Sequence, residues 1–432
     1  MSSEARKVIY VISDLHLGAG VYSSWKESMH EMFKSHPVGR DFRDTSEDEV
    51  LDPFFHDFIH WIVSNHQGDE VCLKLLGDIF DPLAVELDGR ADFPQYEEDD
   101  VLRLQKIAIG HHSLIEALRF FCGQPNCSVE FIVGNHDLFL AWPGVQTEVQ
   151  KLISQDHPDR VQFFGSLAAV GVYYEHGATE PHNRFDLDLR KNILEEGDPR
   201  SGEVKRTLDV TQGHYLSRGL ANPLMLVDFL IERMHIHGFV WLDVLLHPFR
   251  RPWYRCRASV FVLVAAYHLF KIFIFHSLST LRHMRTKSGF MKILKVLWWT
   301  ITGAIGGTTT KARAERYLRE HDETDVVVLG HEHSPGEELL HIGNRPRKYF
   351  NVGAWIQMWE RRAPSPSMLT WKRLRRLQGF LFFFRDLFQS PELVSITLFP
   401  VLVVSHDDNG ERGVRFMRWD SESKEIKDFT DR

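Results

Sequence analysis

The stretch VEFIVGNHD, residues Val129–Asp137, decides the fold, because an apolar run ends abruptly in polar residues whose side chains can bind a metal ion. Val129–Val133 is typical of a buried strand, and Gly134 allows the backbone to turn and to approach a ligand closely. The next three side chains offer an amide oxygen, an imidazole and a carboxylate, a combination typical of metal sites. Asn and Asp after a glycine also form ordinary turns, so the remaining sequence must distinguish these two interpretations.

Four other predicted strands end in similar side chains. Ligands collect at the carboxyl ends of strands in open α/β sheets. Each position has an ordinary alternative, such as a helix cap or a loop histidine, but five coincidences together are much less expected. The ligand-type residues are Asp14 and His16 after Val8–Ile12, Asp78 after Val71–Leu76, His176 after Ala169–Tyr174, and His331 and His333 after Val326–Leu329.

In this order, the motifs resemble those of the calcineurin-like metallophosphoesterases. The resemblance covers residues 8–177 and about 321–355, and the strands Pro400–Val404 and Val414–Trp419 would complete the fold. It implies an α/β fold of four layers, an αββα sandwich with a helical insertion and a metal centre at one rim. The motifs are Asp14-Leu-His16, Gly77-Asp78-Ile-Phe-Asp81, Gly134-Asn135-His136-Asp137, His176-Gly177 and Gly330-His331-Glu-His333.

The resemblance also implies two divalent metal ions. Carboxylate, imidazole and amide ligands without a thiolate suit Mn²⁺, Fe or Zn²⁺ better than Ca²⁺, and Mn²⁺ is our first expectation. Two such ions would clamp a phosphoryl oxygen and activate water to hydrolyse a phosphate ester or anhydride. One ion would be held by Asp14, His16, Asp78 and His333, and the other by Asp78, Asn135, His176 and His331.

Further residues receive roles from the resemblance or from their position. His136 would protonate or stabilise the leaving group, and Asp81 would orient it, although Asp81 also suits a turn. Asp137 is expected to be a turn residue or a support for the ligands. Arg184 and Asn135 are the candidate substrate-binding residues, with a surface arginine as the alternative for Arg184.

The net charge of −8 hides a strong asymmetry. Residues 244–314 contain twelve Lys and Arg and no Asp or Glu, so the rest of the chain carries −20. The same region contains the apolar runs Val260–Phe270 and Val296–Ile305. The uncharged segment Ala258–Phe270 has 13 residues. That is shorter than the roughly 18–20 of a membrane-spanning helix, so a span requires that one lysine be tolerated.

These patterns predict three segments. Residues 1–177 form the first part of the core, 178–320 a helical, basic and apolar insertion, and 321–432 the second part of the core. A basic aromatic insertion lies at about 361–395 within the last segment. We predict that the insertions form a hydrophobic lid or lie in the membrane interface, where cations meet anionic headgroups. The alternative is a helical cap that packs only on itself.

The predicted function is dinuclear metal-dependent hydrolysis of a phosphoester or pyrophosphate, with a lipid or other amphiphile as substrate at an anionic membrane surface. A core with a helical lid is similar to the UDP-2,3-diacylglucosamine hydrolases, although their pattern has Arg where His136 stands. One alternative is a soluble phosphatase or phosphodiesterase for nucleotides, nucleic acid or phosphoproteins. Nucleic acid is not the expected partner, because its binding does not need long apolar runs. The other alternative is a non-enzymatic scaffold.

Two further expectations concern compartment and helix pattern. The four cysteines lack metal-binding spacing and no secretory signal is recognised, which favours a cytoplasmic protein peripheral to the membrane. A helical pattern runs from about Val101 to Phe121, and His111 and His112 within it are expected to have surface or packing roles. The predicted buried stripe of this helix comprises Leu102, Ile109, Leu114, Leu118 and Phe121.

Overall fold

The computed structural model describes residues 6–18, 51–85, 87, 95–178, 183–197, 204–211, 213–214, 310–343, 345–355, 357–361, 393–406 and 412–429. The apolar runs Val260–Phe270 and Val296–Ile305 lie outside the described residues, as does most of the basic aromatic insertion. Their role as a lid or a membrane-docking surface therefore stays a prediction.

The described chain alternates strands with helices in its first half and is mainly strands in its last part. The strands are β1 (Lys7–Ile12), β2 (Glu70–Leu76), β3 (Cys127–Ile132), β4 (Val161–Phe164), β5 (Ser166–Ala169), β6 (Val172–Glu175), β7 (Ile193–Gly197), β8 (Val204–Leu208), β9 (Val326–Leu329), β10 (Gly336–Ile342), β11 (Arg345–Asn351), β12 (Gln357–Arg361), β13 (Leu393–Thr397), β14 (Pro400–His406), β15 (Arg412–Asp420) and β16 (Glu425–Asp428). The α-helices are α1 (Asp52–Asn65), α2 (Glu97–Gly110), α3 (His112–Cys122), α4 (Pro143–Ser154) and α5 (Thr310–Glu320), and short 3₁₀ helices span Pro82–Ala84, Leu138–Ala141, Pro158–Arg160 and Leu189–Asn192.

Two larger sheets organise these elements. The seven-stranded sheet has the order β16-β15-β14-β1-β2-β3-β4, and its strands β1 to β4 are parallel. The five-stranded sheet has the order β10-β11-β9-β6-β5, with β11, β9 and β6 parallel. Strands β7 and β8 form a separate antiparallel pair, and so do β12 and β13. The predicted α/β class is confirmed at this level.

Side chains of β1 contribute to two separate cores. Val8, Tyr10 and Ile12 belong to a hydrophobic cluster that includes residues of α1 to α4, whereas Ile9 and Val11 belong to a second cluster. This division follows from the two-residue period of a strand. The second cluster contains residues from both large sheets, and a third joins the five-stranded sheet to α5.

The single helix predicted across Val101–Phe121 is two helices, because the chain breaks at His111. The His111 side chain is fully buried, and its Nδ1 lies 3.0 Å from the Oδ1 of Asp52 at the start of α1. A packing role for His111 is therefore confirmed. His112 is exposed, with 77% of its side chain accessible.

The predicted buried stripe is correct only in the second of these helices. Leu114, Leu118 and Phe121 of α3 are fully buried. In α2, Leu102 and Ile109 are 37% and 63% exposed, so their predicted burial is wrong. The break changes the helical phase, and α2 therefore turns a different face, which includes Leu104 and Ile107, towards the core.

The predicted strand Ala169–Tyr174 is also wrong, since it is a hairpin between β5 and β6. Val170 and Gly171 form the turn with φ angles of 49° and 71°. Two successive positive φ angles are typical of tight hairpin turns, but a β-branched residue rarely adopts one. His176 still follows the second strand of the hairpin, as the motif requires.

Parts of the region 178–320 pack directly on the core. Leu208 of β8 belongs to the hydrophobic cluster of α1 to α4, and Ala314 and Leu318 of α5 are buried against the five-stranded sheet. Within the described residues, the structure contains no helix whose length and apolar character would let it cross a membrane.

Candidate metal centre

The predicted ligands follow five strands, and hydrogen bonds join the loops that carry them. The backbone N–H of Asp14 donates to the carbonyl of Gly77 at 3.0 Å, and Gly330 N–H donates to the carbonyl of His176 at 2.9 Å. The first bond joins the loops after β1 and β2, and the second joins those after β6 and β9. Parallel strands place their carboxyl ends at one edge of each sheet. The backbone N–H of His331 donates to Oδ2 of Asp14 at 3.1 Å, which joins the edges of the two sheets.

Asp14, His16 and His333 form one candidate group for a metal ion. Their ligand atoms all lie within 4.8 Å of one another. The Nε2 atoms of the two histidines are 3.1 Å apart, and they lie 3.8 and 3.4 Å from Oδ1 of Asp14. Both imidazoles thus present a nitrogen to one carboxylate oxygen, an arrangement that suits ligands of a single ion.

Asp78, His176 and His331 form a second group within the same 4.8 Å limit. The Nε2 of His176 lies 3.0 Å from Oδ2 of Asp78. Its Nδ1 donates to the carbonyl oxygen of Leu76 at 3.0 Å. Metal-binding histidines commonly donate their second ring N–H to such a carbonyl, which fixes the orientation of the ring. The expected ligand atom of His176 is therefore Nε2.

Asn135 supplies a neutral oxygen that fits the same chemistry. The residue is 3% exposed, and its Oδ1 has no hydrogen-bond partner among the described residues. Oδ1 of Asp14 is likewise buried and accepts no hydrogen bond within that part of the chain, although two imidazole nitrogens lie 3.4 and 3.8 Å away. An unsatisfied buried acceptor costs about 1–3 kcal/mol, and a bound cation would remove that cost. The residues present therefore fit a divalent metal ion.

Asp81 contacts two of the imidazoles at this rim. Its carboxylate oxygens lie 3.3 Å from Nδ1 of His136 and 3.8 Å from Nδ1 of His16. It also accepts a hydrogen bond from the backbone N–H of Leu83 at 3.1 Å, so it begins the following 3₁₀ helix as well. His136, His16 and Asp78 form a third group of atoms within 4.8 Å.

Backbone strain is concentrated at these residues. Seven non-glycine residues in the described ranges have positive φ angles, and five of them are predicted ligands. Such conformations are costly for residues with a side chain, and they persist at functional sites because the surrounding structure enforces them. The five are Asp14 (53°), His16 (49°), Asp78 (51°), His331 (72°) and His333 (51°).

Two glycines allow the ligands to approach the backbone. A Cβ atom on Gly134 would lie 2.5 Å from the backbone nitrogen of Asp78, and one on Gly330 would lie 2.8 Å from Oδ2 of Asp14. Ordinary contacts of a Cβ atom begin at 3.4 Å. These positions therefore require glycine for reasons of space, and the requirement is independent of metal binding.

The buried charges of the two groups depend on one another. Burial opposes ionisation of Asp14, but His176, His16 and His333 lower its pKa well below the ordinary value. Burial also opposes the charge of His176, but Asp78 and Asp14 raise its pKa to about 10. His333 is an exception, because burial outweighs Asp14 and lowers its pKa. A metal ion would take the place of the imidazole protons as partner of these carboxylates.

Burial and neighbouring charges also oppose each other in setting the pKa values around His136. Burial lowers the pKa of His136, but Asp81 and Asp78 outweigh it and raise the pKa to about 9. Asp137 differs, because burial and the neighbouring Asp78 raise its pKa to about 7. Its carboxylate accepts hydrogen bonds from the backbone N–H groups of Gly134 at 2.5 Å and Ile79 at 2.9 Å. It supports two ligand loops and lies outside the three groups.

Some contacts of the centre were not predicted. The Oγ of Ser13 lies 2.7 Å from the carbonyl oxygen of Leu76 and also contacts the carboxylate of Asp14, so its single O–H can donate to either oxygen. Glu332 accepts a hydrogen bond at 2.8 Å from the backbone N–H of Thr310, the first residue of α5. A third contact, from His214, reaches the carbonyl of Asn135. Ser13 and Glu332 had a signal in the sequence, since they adjoin predicted ligands, whereas His214 had none.

Arg184 is placed differently from the other predicted site residues. Its side chain is exposed in the chain that precedes the 3₁₀ helix Leu189–Asn192. In the described parts of the chain, no hydrogen bond or ion pair connects it to the metal-ligand groups, so substrate binding by Arg184 stays a prediction. No family model matches the chain, and no curated sequence matches it significantly.

Proposed function

We propose that the chain is a metal-dependent phosphoester or pyrophosphate hydrolase of the calcineurin-like metallophosphoesterase type. The observation that supports this most is the convergence of ordered motif residues from five strand ends into adjacent Asp and His groups. The two large sheets share a core and each has helices packed in a further core. That packing supports the proposal that the fold is the four-layer αββα sandwich of this family.

In this proposal the centre holds two divalent ions, with Mn²⁺ preferred and Fe or Zn²⁺ as alternatives. Asp78 would contribute to both, since its carboxylate lies in the second group and also within 4.8 Å of His16 of the first. When bound, the ions would supply Lewis-acid activation of water and neutralise the charge that develops on the phosphoryl group. The first ion would be held by Asp14, His16, Asp78 and His333, and the second by Asp78, Asn135, His176 and His331.

His136 is proposed to donate a proton to the leaving-group oxygen. Its ring is largely buried, with 17% of the side chain exposed, and it lies beside the charged carboxylate of Asp81. The ionised carboxylate of Asp81 would favour the protonated imidazole. Burial opposes ionisation of Asp81, but His136 and His16 outweigh it and lower the pKa of Asp81 well below its ordinary value. A donor held in position and charged near neutral pH is suited to general acid catalysis.

The proposed substrate is an amphiphile, such as a lipid phosphate or pyrophosphate, at an anionic membrane surface. The support is compositional, because the chain combines twelve cations with long apolar runs in residues 244–314. Cations beside apolar side chains are typical of peripheral binding to anionic lipids. A cytoplasmic location on that surface is part of the same proposal.

The proposal is tested by Mn²⁺-dependent hydrolysis of bis(p-nitrophenyl) phosphate and of a phospholipid panel, together with flotation on anionic vesicles. Asp78→Asn should abolish hydrolysis, while His112→Ala, a change of an exposed histidine on α3, should not. Activity without flotation would support the proposed hydrolase activity but contradict the proposed membrane binding. Flotation without any metal-dependent turnover would contradict the enzymatic proposal and favour a scaffold.

A further inference from the structure

The peptide unit between Asn135 and His136 is held from both sides. Its carbonyl oxygen accepts a hydrogen bond from Nε2 of His214. Its N–H donates to Oδ1 of Asp78 at 2.8 Å. Because a peptide unit is planar, fixing both polar groups also fixes the directions in which the chain continues on either side. The two residues so oriented are the proposed amide ligand and the proposed acid.

His214 itself is firmly placed. The residue is 1% exposed, and its backbone N–H donates to the carbonyl of Thr211 at 3.2 Å. The chain just before it packs on the core, since Leu208 is buried in the cluster of α1 to α4 and Val210 contacts the same cluster. The hydrogen-bond donor therefore comes from a packed segment.

We infer that His214 is a positioning residue of the metal centre, which directs the side chain of Asn135 towards the ion; this inference rests on the proposed function. A buried carbonyl needs a donor, and an imidazole N–H supplies one. Hydrogen bonding at the carbonyl also polarises the peptide and strengthens its N–H donation to Asp78. His214 lies in the region 178–320, so the predicted insertion contributes a residue to the centre.

The expected effect is on metal affinity. Loss of a group that supports a metal ligand typically weakens binding by about 10–100-fold. His214 contacts the backbone of Asn135, so the expected loss is at the lower end, about 10-fold, at the ion that Asn135 binds. The ion held by Asp14, His16 and His333 should change less.

The test is calorimetric titration of Mn²⁺ into metal-free wild type, His214→Gln and His214→Met. Gln and Met have similar size, but only Gln retains an N–H donor, so their comparison isolates the hydrogen bond. We expect near wild-type affinity for Gln and about 10-fold weaker binding at one site for Met. In an Asn135→Ala background, the difference between Gln and Met should shrink, because only the effect through Asp78 remains.

Two results would overturn the inference. One is Mn²⁺ binding by His214→Met that equals wild type, and the other is an equal loss in both variants, which would indicate packing in place of hydrogen bonding. Titration of wild type and Asp78→Asn with Mn²⁺ distinguishes failure of the inference about His214 from failure of the proposed function. If wild type binds no Mn²⁺, or if Asp78→Asn binds it equally well, the metal centre itself is wrong.

Discussion

Gly134→Ala should disable the metal centre without changing any ligand. A Cβ atom at this position would lie 2.5 Å from the backbone nitrogen of Asp78 and against its Oδ1. Ordinary contact begins at 3.4 Å, so the loops after β2 and β3 must separate by about 0.9 Å. Overpacking of this kind costs about 1–3 kcal/mol of stability. A misplacement near 1 Å lowers catalytic rate by about 10²-fold.

The assay is Mn²⁺-dependent hydrolysis of bis(p-nitrophenyl) phosphate, with thermal unfolding measured on the same samples. Gly336→Ala is the matched control, because no atom lies within 4 Å of a Cβ placed there and neither glycine has a positive φ angle. The control should retain full activity and unfold within about 0.5 kcal/mol of wild type. If Gly134→Ala matched Gly336→Ala in rate and stability, the reasoning about close approach of Asp78 would be refuted.

Three other predictions concern the proposed acid His136, the proton released when Mn²⁺ binds, and the start of helix α5. Asp81→Asn removes the main carboxylate partner of His136, so the rate of hydrolysis should fall at least about 10-fold. The loss should be larger for an ester with an alkyl leaving group than for one that releases p-nitrophenolate. Equal losses for both esters would argue against His136 as the general acid. His176 is protonated below its pKa of about 10 in the metal-free protein, so Mn²⁺ binding at pH 7.5 should release a proton and tighten as the pH rises. Titrations in buffers of different ionisation enthalpy measure this release, and its absence would contradict the proposed ligand. Glu332→Ala leaves the Thr310 N–H without its acceptor and should destabilise the protein by about 0.5–2 kcal/mol in urea unfolding, whereas an unchanged midpoint would show that the cap contributes nothing.

The sequence predicted the strand ends that carry the ligands better than it predicted the turns and helices around them. Four of the five strands that precede a ligand were recognisable because a short apolar run meets a glycine or a polar residue, as at Val133 and Gly134. The strand before His176 was predicted with wrong bounds. Parallel strands place Asp14 and Asp78 at one edge of the seven-stranded sheet. Packing of the two large sheets against each other brings His176 of the five-stranded sheet to the same place. At these strand ends, the local sequence pattern and the three-dimensional arrangement of the ligands agree.

Other features depend on forces that local patterns do not contain. The hairpin turn at Val170 was missed because its positive φ is unusual for a β-branched residue. Backbone hydrogen bonds from Asp325 and Val326 to the carbonyl of Gly171 anchor the turn. The break at His111 coincides with a buried contact to Asp52, which is 59 residues away in the chain. His214 and Asn135 are separated by 79 residues, and no spacing rule links them.

We propose above all that this chain binds two metal ions at one bridged site. The most direct measurement is electron paramagnetic resonance of the protein titrated with Mn²⁺, with bound metal counted on the same samples. We predict two ions per chain and the exchange-coupled signal of a pair about 3.5–4 Å apart, both lost in Asp78→Asn. A single uncoupled ion, or a coupled pair that survives Asp78→Asn, would contradict the account.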